Sequence, residues 1–109
     1  MERNLFNHLL DTQFEGKTEI AKQLDNCEVR TIDEEGSLEL RPSDANGLAP
    51  VEKTIPIEAE GIDEDGVCIH WLLHVRKGIV TELEVYKDDG SPIKRMPHLG
   101  ALKIIVLPA

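Results

Sequence analysis

VCIHWLLHVRKGIVTELEVY, residues 67–86, alternates apolar and polar side chains twice, once on each side of Lys77-Gly78. In the first run Val67, Ile69, Trp71, Leu73 and Val75 share one parity, and Cys68, His70, Leu72 and His74 the other. In the second run Ile79, Thr81, Leu83 and Val85 share a parity, and Val80, Glu82, Glu84 and Tyr86 the opposite one. Successive strand side chains point to opposite sides of a sheet, so the odd positions make a core face and the even positions a mixed, polar one. The hairpin also carries the only tryptophan and the only tyrosine of the chain.

Matching the two apolar faces sets the register, because a slip of one residue exchanges the faces. A two-residue turn at Lys77-Gly78 sets Trp71 beside Glu84. A three-residue loop, Arg76-Lys77-Gly78 with Gly78 left-handed, pairs Val75 with Ile79, Trp71 with Leu83 and Ile69 with Val85. The sequence therefore predicts the three-residue loop, with His70 opposite Glu84, Leu72 opposite Glu82 and Cys68 opposite Tyr86.

Near the N-terminus, Leu5, Phe6, Leu9, Leu10 and Phe14 recur at helical spacing and predict a helix from Glu2 to Gln13. Gly16 breaks it, and Thr18 reads as the N-cap of a second short helix carrying Ile20, Ala21 and Leu24 and ending at Asp25-Asn26. Cys27–Ile32 and Ser37–Arg41 flank the turn Asp33-Glu34-Glu35-Gly36 and form a first hairpin. Pro42–Pro50 reads as a surface loop. Thr54–Glu60 alternates with Ile55, Ile57 and Ala59 inward, and Pro56, lacking an amide hydrogen, argues for an edge position or at least for no pairing on that side at that residue. Keeping its apolar face matched puts Glu58 beside Cys68 or His70. After Tyr86, Asp88-Asp89-Gly90 makes another acidic turn, Ser91–Gly100 is irregular, and Ala101–Leu107 closes the chain as a strand. The apolar run Ile104–Leu107 implies burial on both sides, by the helices or across a dimer.

The fold expected is one α+β domain over residues 1–109, large enough to bury a core without disulfides or metal. Two N-terminal helices, a helical hairpin over residues 1–26, pack on a mainly antiparallel, meandering sheet of five or six strands over residues 27–109. The odd-numbered residues from Ile55 to Val85 form the core with Leu5, Phe6, Leu9, Leu10, Ile20 and Leu24.

Twelve Lys and Arg against twenty-one Asp and Glu give a formal charge of −9. Phosphate backbones and anionic lipid surfaces are repelled by such a chain, so neither nucleic acid nor a membrane is expected as partner, and a basic protein is the electrostatic match. Cys27 and Cys68 are too few and too far apart for a disulfide framework or a metal-ligand motif, which fits a reducing compartment. No signal-like segment or long apolar run occurs, and a cytoplasmic location is expected.

Several residue patterns bear on chemistry. His70 and His74 would share a helix face, but four strand residues span ~13 Å, too far for one ion. Cys68 and His70, two apart and ~7 Å between backbones, could share an ion with help from Glu84 or Glu58. A carboxylate beside an imidazole, as expected for His70 and Glu84, is the arrangement of a general acid–base pair and equally of an ordinary cross-strand contact. Asp63, Asp65 and Gly66 echo the start of a calcium loop without its later ligands. No phosphate-binding loop, nucleophile elbow or zinc-finger spacing is present, and Ser37, Ser43 and Ser91 lie in turns.

The segments FEGKTEIAKQL (14–24), EEGSLEL (34–40), IPIEAEGIDEDGVCIHWLLHV (55–75) and ELEVYKDDGSPI (82–93) together resemble short bacterial proteins that carry a domain-of-unknown-function label. The shared positions are turn glycines, apolar strand residues and the histidines His70 and His74. The resemblance implies no substrate and no catalytic residue.

The sequence thus predicts a small acidic binding or accessory protein, of the immunity type, with a basic protein as partner. The alternative is a small-molecule or metal pocket, even a minor enzyme, centred on His70 and Glu84. The candidate binding residues are His70, Glu84, Cys68, Glu58 and His74. No catalytic residue, metal set or cofactor is expected, and a homodimer through Ile104, Ile105, Val106 and Leu107 is the remaining possibility.

Overall fold

The computed structural model describes residues 2–12, 14, 16–25, 27–34, 36–43 and 57–106. Two helices, α1 (Glu2–Leu10) and α2 (Lys17–Asp25), precede six strands: β1 (Cys27–Thr31), β2 (Leu38–Pro42), β3 (Ile57–Ile62), β4 (Cys68–Arg76), β5 (Ile79–Lys87) and β6 (Lys103–Val106). A single 3-10 turn, Leu99–Ala101, leads into β6.

All the pairings are antiparallel, in the order β1-β2-β5-β4-β3-β6. The sheet is therefore not the simple meander expected. The β1–β2 hairpin docks on the free edge of β5, where Leu38 lies opposite Leu83, and β6 docks on β3. β3 is an interior strand from Ile57 onward. Pro56, the residue that argued for an edge, lies outside the described residues, as do Thr54, Ile55, Leu107 and the part of the expected surface loop from Asp44 to Pro50.

The helices supply Leu5, Phe6, Leu9, Ile20 and Leu24 to one core, which they share with Leu38, Leu40, Ile57, Ala59, Ile69, Trp71, Leu73, Val75, Val80, Leu83, Val85 and Leu102. Leu10 and Phe14 pack half-buried against it. Trp71 is its largest fully buried side chain. α2 starts one residue before the expected cap: the Ile20 amide donates to the Gly16 carbonyl at 3.0 Å, and Thr18 lies inside the first turn.

The central hairpin keeps its two faces but not the expected register. Lys77 (φ 51°) and Gly78 (φ 79°) are both left-handed and close a two-residue turn that pairs Arg76 with Ile79. The slip this turn would impose is undone within β5. Val75 pairs with Val80, but His74 pairs with Glu82, so Thr81 is an extra, bulged residue. Its hydroxyl donates to the His74 carbonyl at 3.4 Å. Beyond the bulge Trp71 lies opposite Val85 and Leu73 opposite Leu83. Val80 rather than Ile79 is therefore buried at the turn.

Three polar devices sit inside this apolar frame. The Gln23 side-chain amide of α2 donates to the Gly78 carbonyl and accepts from the Val80 amide, both at 2.8 Å, and so clamps the hairpin turn. The Ser37 hydroxyl donates to the Val85 carbonyl and accepts from the Val85 amide, extending the β2–β5 ladder by one side chain. Lys87, on the inward parity of β5, donates to Asp63, Asp65 and the Pro92 carbonyl.

β6 is an edge strand, and its apolar run is not buried on both sides. Ile104 packs half-buried against the core, Ile105 is half-buried, and Val106 is exposed. The reason is position: β6 is last in the sheet and pairs only with β3 among the described residues. No helix among the described residues is long and apolar enough to cross a membrane.

Candidate functional site

Apart from Val80, which precedes the bulge and faces the core, the even-numbered side chains of β3, β4 and β5 stand on the sheet face opposite the helices, as the alternation requires. Register arranges them in rows. Glu58 lies opposite Leu72, which lies opposite Glu84; Glu60 lies opposite His70, which lies opposite Tyr86; and His74 lies opposite Glu82. Apart from the exposed Tyr86 these residues are half-buried, and no element among the described residues covers this face.

The expected pair His70–Glu84 does not form. The bulge at Thr81 shifts β5 by two residues against the expected register, so Glu84 reaches His74 instead, with Nε2 and Oε1 2.8 Å apart. Glu58, expected beside Cys68 or His70, lies opposite Leu72. Cys68 is likewise opposite Ile62 on β3, and its carbonyl accepts from the Asp88 amide at 3.0 Å. The five candidates thus fall into two groups, with Glu58 in neither.

The first group surrounds His70. Its Nε2 is 2.7 Å from Asp88 Oδ1, its Nδ1 is 3.8 Å from Glu60 Oε2, and its ring stacks on Tyr86 with centroids 4.6 Å apart and planes at 15°. Cys68 shares the face, and Glu60, Cys68 and His70 bring donor atoms within 4.8 Å of one another. Burial pushes the Cys68 thiol pKa up, and the charges of Glu60 and Asp88 push it further in the same direction. Burial and the neighbouring carboxylates, Asp88 first, likewise raise the Tyr86 phenol. The second group is His74, Glu82 and Glu84, whose donor atoms also lie within 4.8 Å of one another.

Neither group has an arrangement for covalent catalysis. The Cys68 thiol is held protonated by its surroundings, the opposite of an activated nucleophile. A shallow hollow of about 500 Å³, lined by Ile62, Glu64, Arg95, Met96, Pro97 and His98, includes none of the five candidates.

Sequence reasoning missed Asp88 and Tyr86 as the partners of His70, because both follow from the shifted register. It also missed the clasp around Lys87. The signal for that clasp was available: Lys87 continues the inward parity of Leu83 and Val85, and an inward lysine requires buried acceptors.

A family model matches residues 1–97, a span that runs from α1 through β5 and contains both histidine groups. The chain belongs to the domain-of-unknown-function family DUF6984. The DUF6984 match ends before the 3-10 turn and β6, so the strand that covers the edge of β3 lies beyond it. No curated protein and no solved structure matches the chain.

Proposed function

We propose that this DUF6984 chain is a protein-binding domain whose outer sheet face, uncovered among the described residues, receives a basic segment of a partner protein. One observation carries the reading. Glu58, Glu60, Glu82, Glu84 and Asp88 stand around His70 and His74 on the outer side of β3–β5, and Arg76 and Lys103 appear only at its margins. Positions two apart on a strand repeat every ~7 Å and neighbouring strands are ~4.8 Å apart, a spacing that an extended Lys- or Arg-rich segment can follow. Exposed pairs of this kind are each worth about 0–1 kcal/mol, so they set encounter rate and partner choice more than affinity. Leu72, half-buried at the centre of the face, supplies apolar contact.

The test is salt-dependent capture of a partner from the source cell, followed by binding measurements with that purified partner. Neutralising the face with Glu58→Gln, Glu60→Gln, Glu82→Gln and Glu84→Gln together should slow association at least tenfold at low salt. Neutralising the same number of carboxylates elsewhere, at Asp11, Glu28, Glu34 and Glu64, should change it little. Equal effects from both sets would reduce the reading to net charge alone.

A second reading pairs two copies through β6, motivated by its edge position and by Ile104, Ile105 and Val106. Sedimentation of the chain separates it from the first: a concentration-dependent dimer lost on Val106→Lys supports it, and a monomer at all concentrations removes it.

A further inference from the structure

Three kinds of donor meet where β3 and β4 face each other: the Glu60 carboxylate, the Cys68 thiol and the His70 imidazole. We infer that Glu60, Cys68 and His70 form a binding site for a divalent ion of the zinc class, with Asp88 positioning the imidazole.

The geometry around His70 is the main support. Its Nε2 sits 2.7 Å from Asp88 Oδ1, and because a carboxylate only accepts, the neutral imidazole carries its one ring proton on Nε2. Nδ1 then presents a lone pair, and it is turned towards Glu60 Oε2 at 3.8 Å. In the neutral ring these two acceptors, facing each other at that distance, have no proton to share. The gap is too long for a hydrogen bond, and close to the ~3.4 Å that two ligands about 2.0–2.1 Å from one tetrahedral zinc keep between them. A cation fills that space and turns a repulsive pair into two bonds.

The surroundings suit an ion as well. A carboxylate behind a ligating imidazole fixes its tautomer and raises its basicity, and stacking on Tyr86 holds the ring plane. The donor set selects the metal: thiolate and imidazole favour zinc over magnesium or calcium, which take oxygen ligands. The Cys68 thiol gives its proton to solvent as the metal–sulfur bond forms. Three protein ligands leave the fourth position on the open side of the sheet for water or an outside donor.

The neighbouring group is the internal comparison. His74 Nε2 is already 2.8 Å from Glu84 Oε1, so two of that group's three residues are bonded to each other, and Glu82 adds only oxygen, so an ion there gains no sulfur. The site around His70 should therefore fill first.

Cobalt(II) titration of the full chain tests the inference, because a cobalt–thiolate bond gives a near-ultraviolet charge-transfer band. Wild type should develop that band to saturation at one equivalent and lose it when zinc is added. Cys68→Ser should abolish the band, and Cys27→Ser and His74→Gln should leave it unchanged. Asp88→Asn should keep the band but weaken affinity roughly 10- to 100-fold, as removal of an outer-shell carboxylate does. Histidine nitrogen NMR adds a readout on the wild-type chain: zinc should shift Nδ1 of His70 and leave His74 unmoved. Absence of the band in wild type, its survival in Cys68→Ser, or a zinc response at His74 alone would overturn the site. Should Cys68→Ser fail to fold by circular dichroism, Glu60→Gln and the NMR shifts decide in its place, with weakened cobalt binding in Glu60→Gln expected and unchanged binding fatal.

Discussion

Lys87 and Asp63 form an ion pair at 2.9 Å in which neither side chain is exposed to solvent. Asp65 supplies a second carboxylate at 2.5 Å, and the Pro92 carbonyl a third acceptor at 3.3 Å. Asp63 in turn accepts from the amides of Glu64, Lys94 and Arg95. One ammonium thus fastens the β3–β4 turn, the end of β5 and the segment that follows it. Removing one member of a buried pair leaves the other uncompensated, which costs far more than the intact pair contributes. Lys87→Met should lower the thermal midpoint by roughly 10 °C or more. Asp65→Asn, at the partly exposed carboxylate, should have a smaller effect. Calorimetric melts of the two variants beside wild type check the order.

The same clasp gives stability a defined pH range. Burial raises the Asp63 pKa, but the bonds from the Lys94 amide, Lys87 and the Glu64 and Arg95 amides outweigh it and hold the carboxyl well below the usual range. Burial lowers that of Lys87, but Asp65 and Asp63 outweigh it and leave the ammonium above its usual value. A depressed carboxyl contributes stability above its unfolded value, ~3.9, and loses it as pH falls through the folded value. A raised ammonium contributes stability below its unfolded value, ~10.4, and loses it as pH rises through the folded one. Denaturant midpoints should therefore decline below about pH 4 and again above about pH 10. Lys87→Met should flatten the acid decline, because Asp63 then keeps less of its depression.

The outward and inward parities of β3, of β4 and of β5 beyond the bulge were legible because alternation needs only the sequence, and only Ile79 and Val80, ahead of the bulge, exchange faces. Register was not. A parity conflict at a two-residue turn can be removed by adding a residue to the loop or by bulging a strand, and nothing in RKGIVTE separates the two routes. The bulge at Thr81 was the route taken, and it decided the site: a shift of two residues gives Glu84 to His74 and leaves His70 to Asp88 and Tyr86. The order of strands was hidden for a similar reason, since the contacts that seat β2 beside β5, Ser37 with Val85 and Leu38 with Leu83, join residues more than forty positions apart.

Gln23 tests how much the two-residue turn depends on the helix beneath it. Its amide satisfies the Gly78 carbonyl and the Val80 amide at once, and both lie in the buried layer under the turn. Gln23→Ala leaves those two backbone groups without these bonds and should cost about 1–3 kcal/mol. Gln23→Glu can still accept from Val80 but has no hydrogen to donate to Gly78, and it also buries charge, so it should be at least as damaging. Denaturant melts measure both losses. Amide exchange at Val80 should speed up in Gln23→Ala more than exchange at Val85, on the far side of the bulge.

Gly61 holds the last segment of the chain against the sheet through the side chain it lacks. It lies opposite Ile69 on the inward parity of β3, and a Cβ there would stand 2.6 Å from Leu102 Cδ2 and 3.2 Å from Pro97 Cγ. The Leu102 methyl could rotate if it had room, but Leu102 is only 8% exposed, and the Pro97 ring is rigid. Gly61→Ala should therefore push the segment from Pro97 to Leu102 outward, at a cost of about 1–3 kcal/mol for overpacking. Because Leu102 immediately precedes β6, the ladder from Ile57–Glu60 to Lys103–Val106 should loosen with it. Hydrogen exchange should show faster exchange in β6, with β4 and β5 nearly unchanged. Uniform acceleration across the sheet would mean instead that the extra methyl is absorbed by general core strain, and that the close approach of Leu102 does not localise its effect.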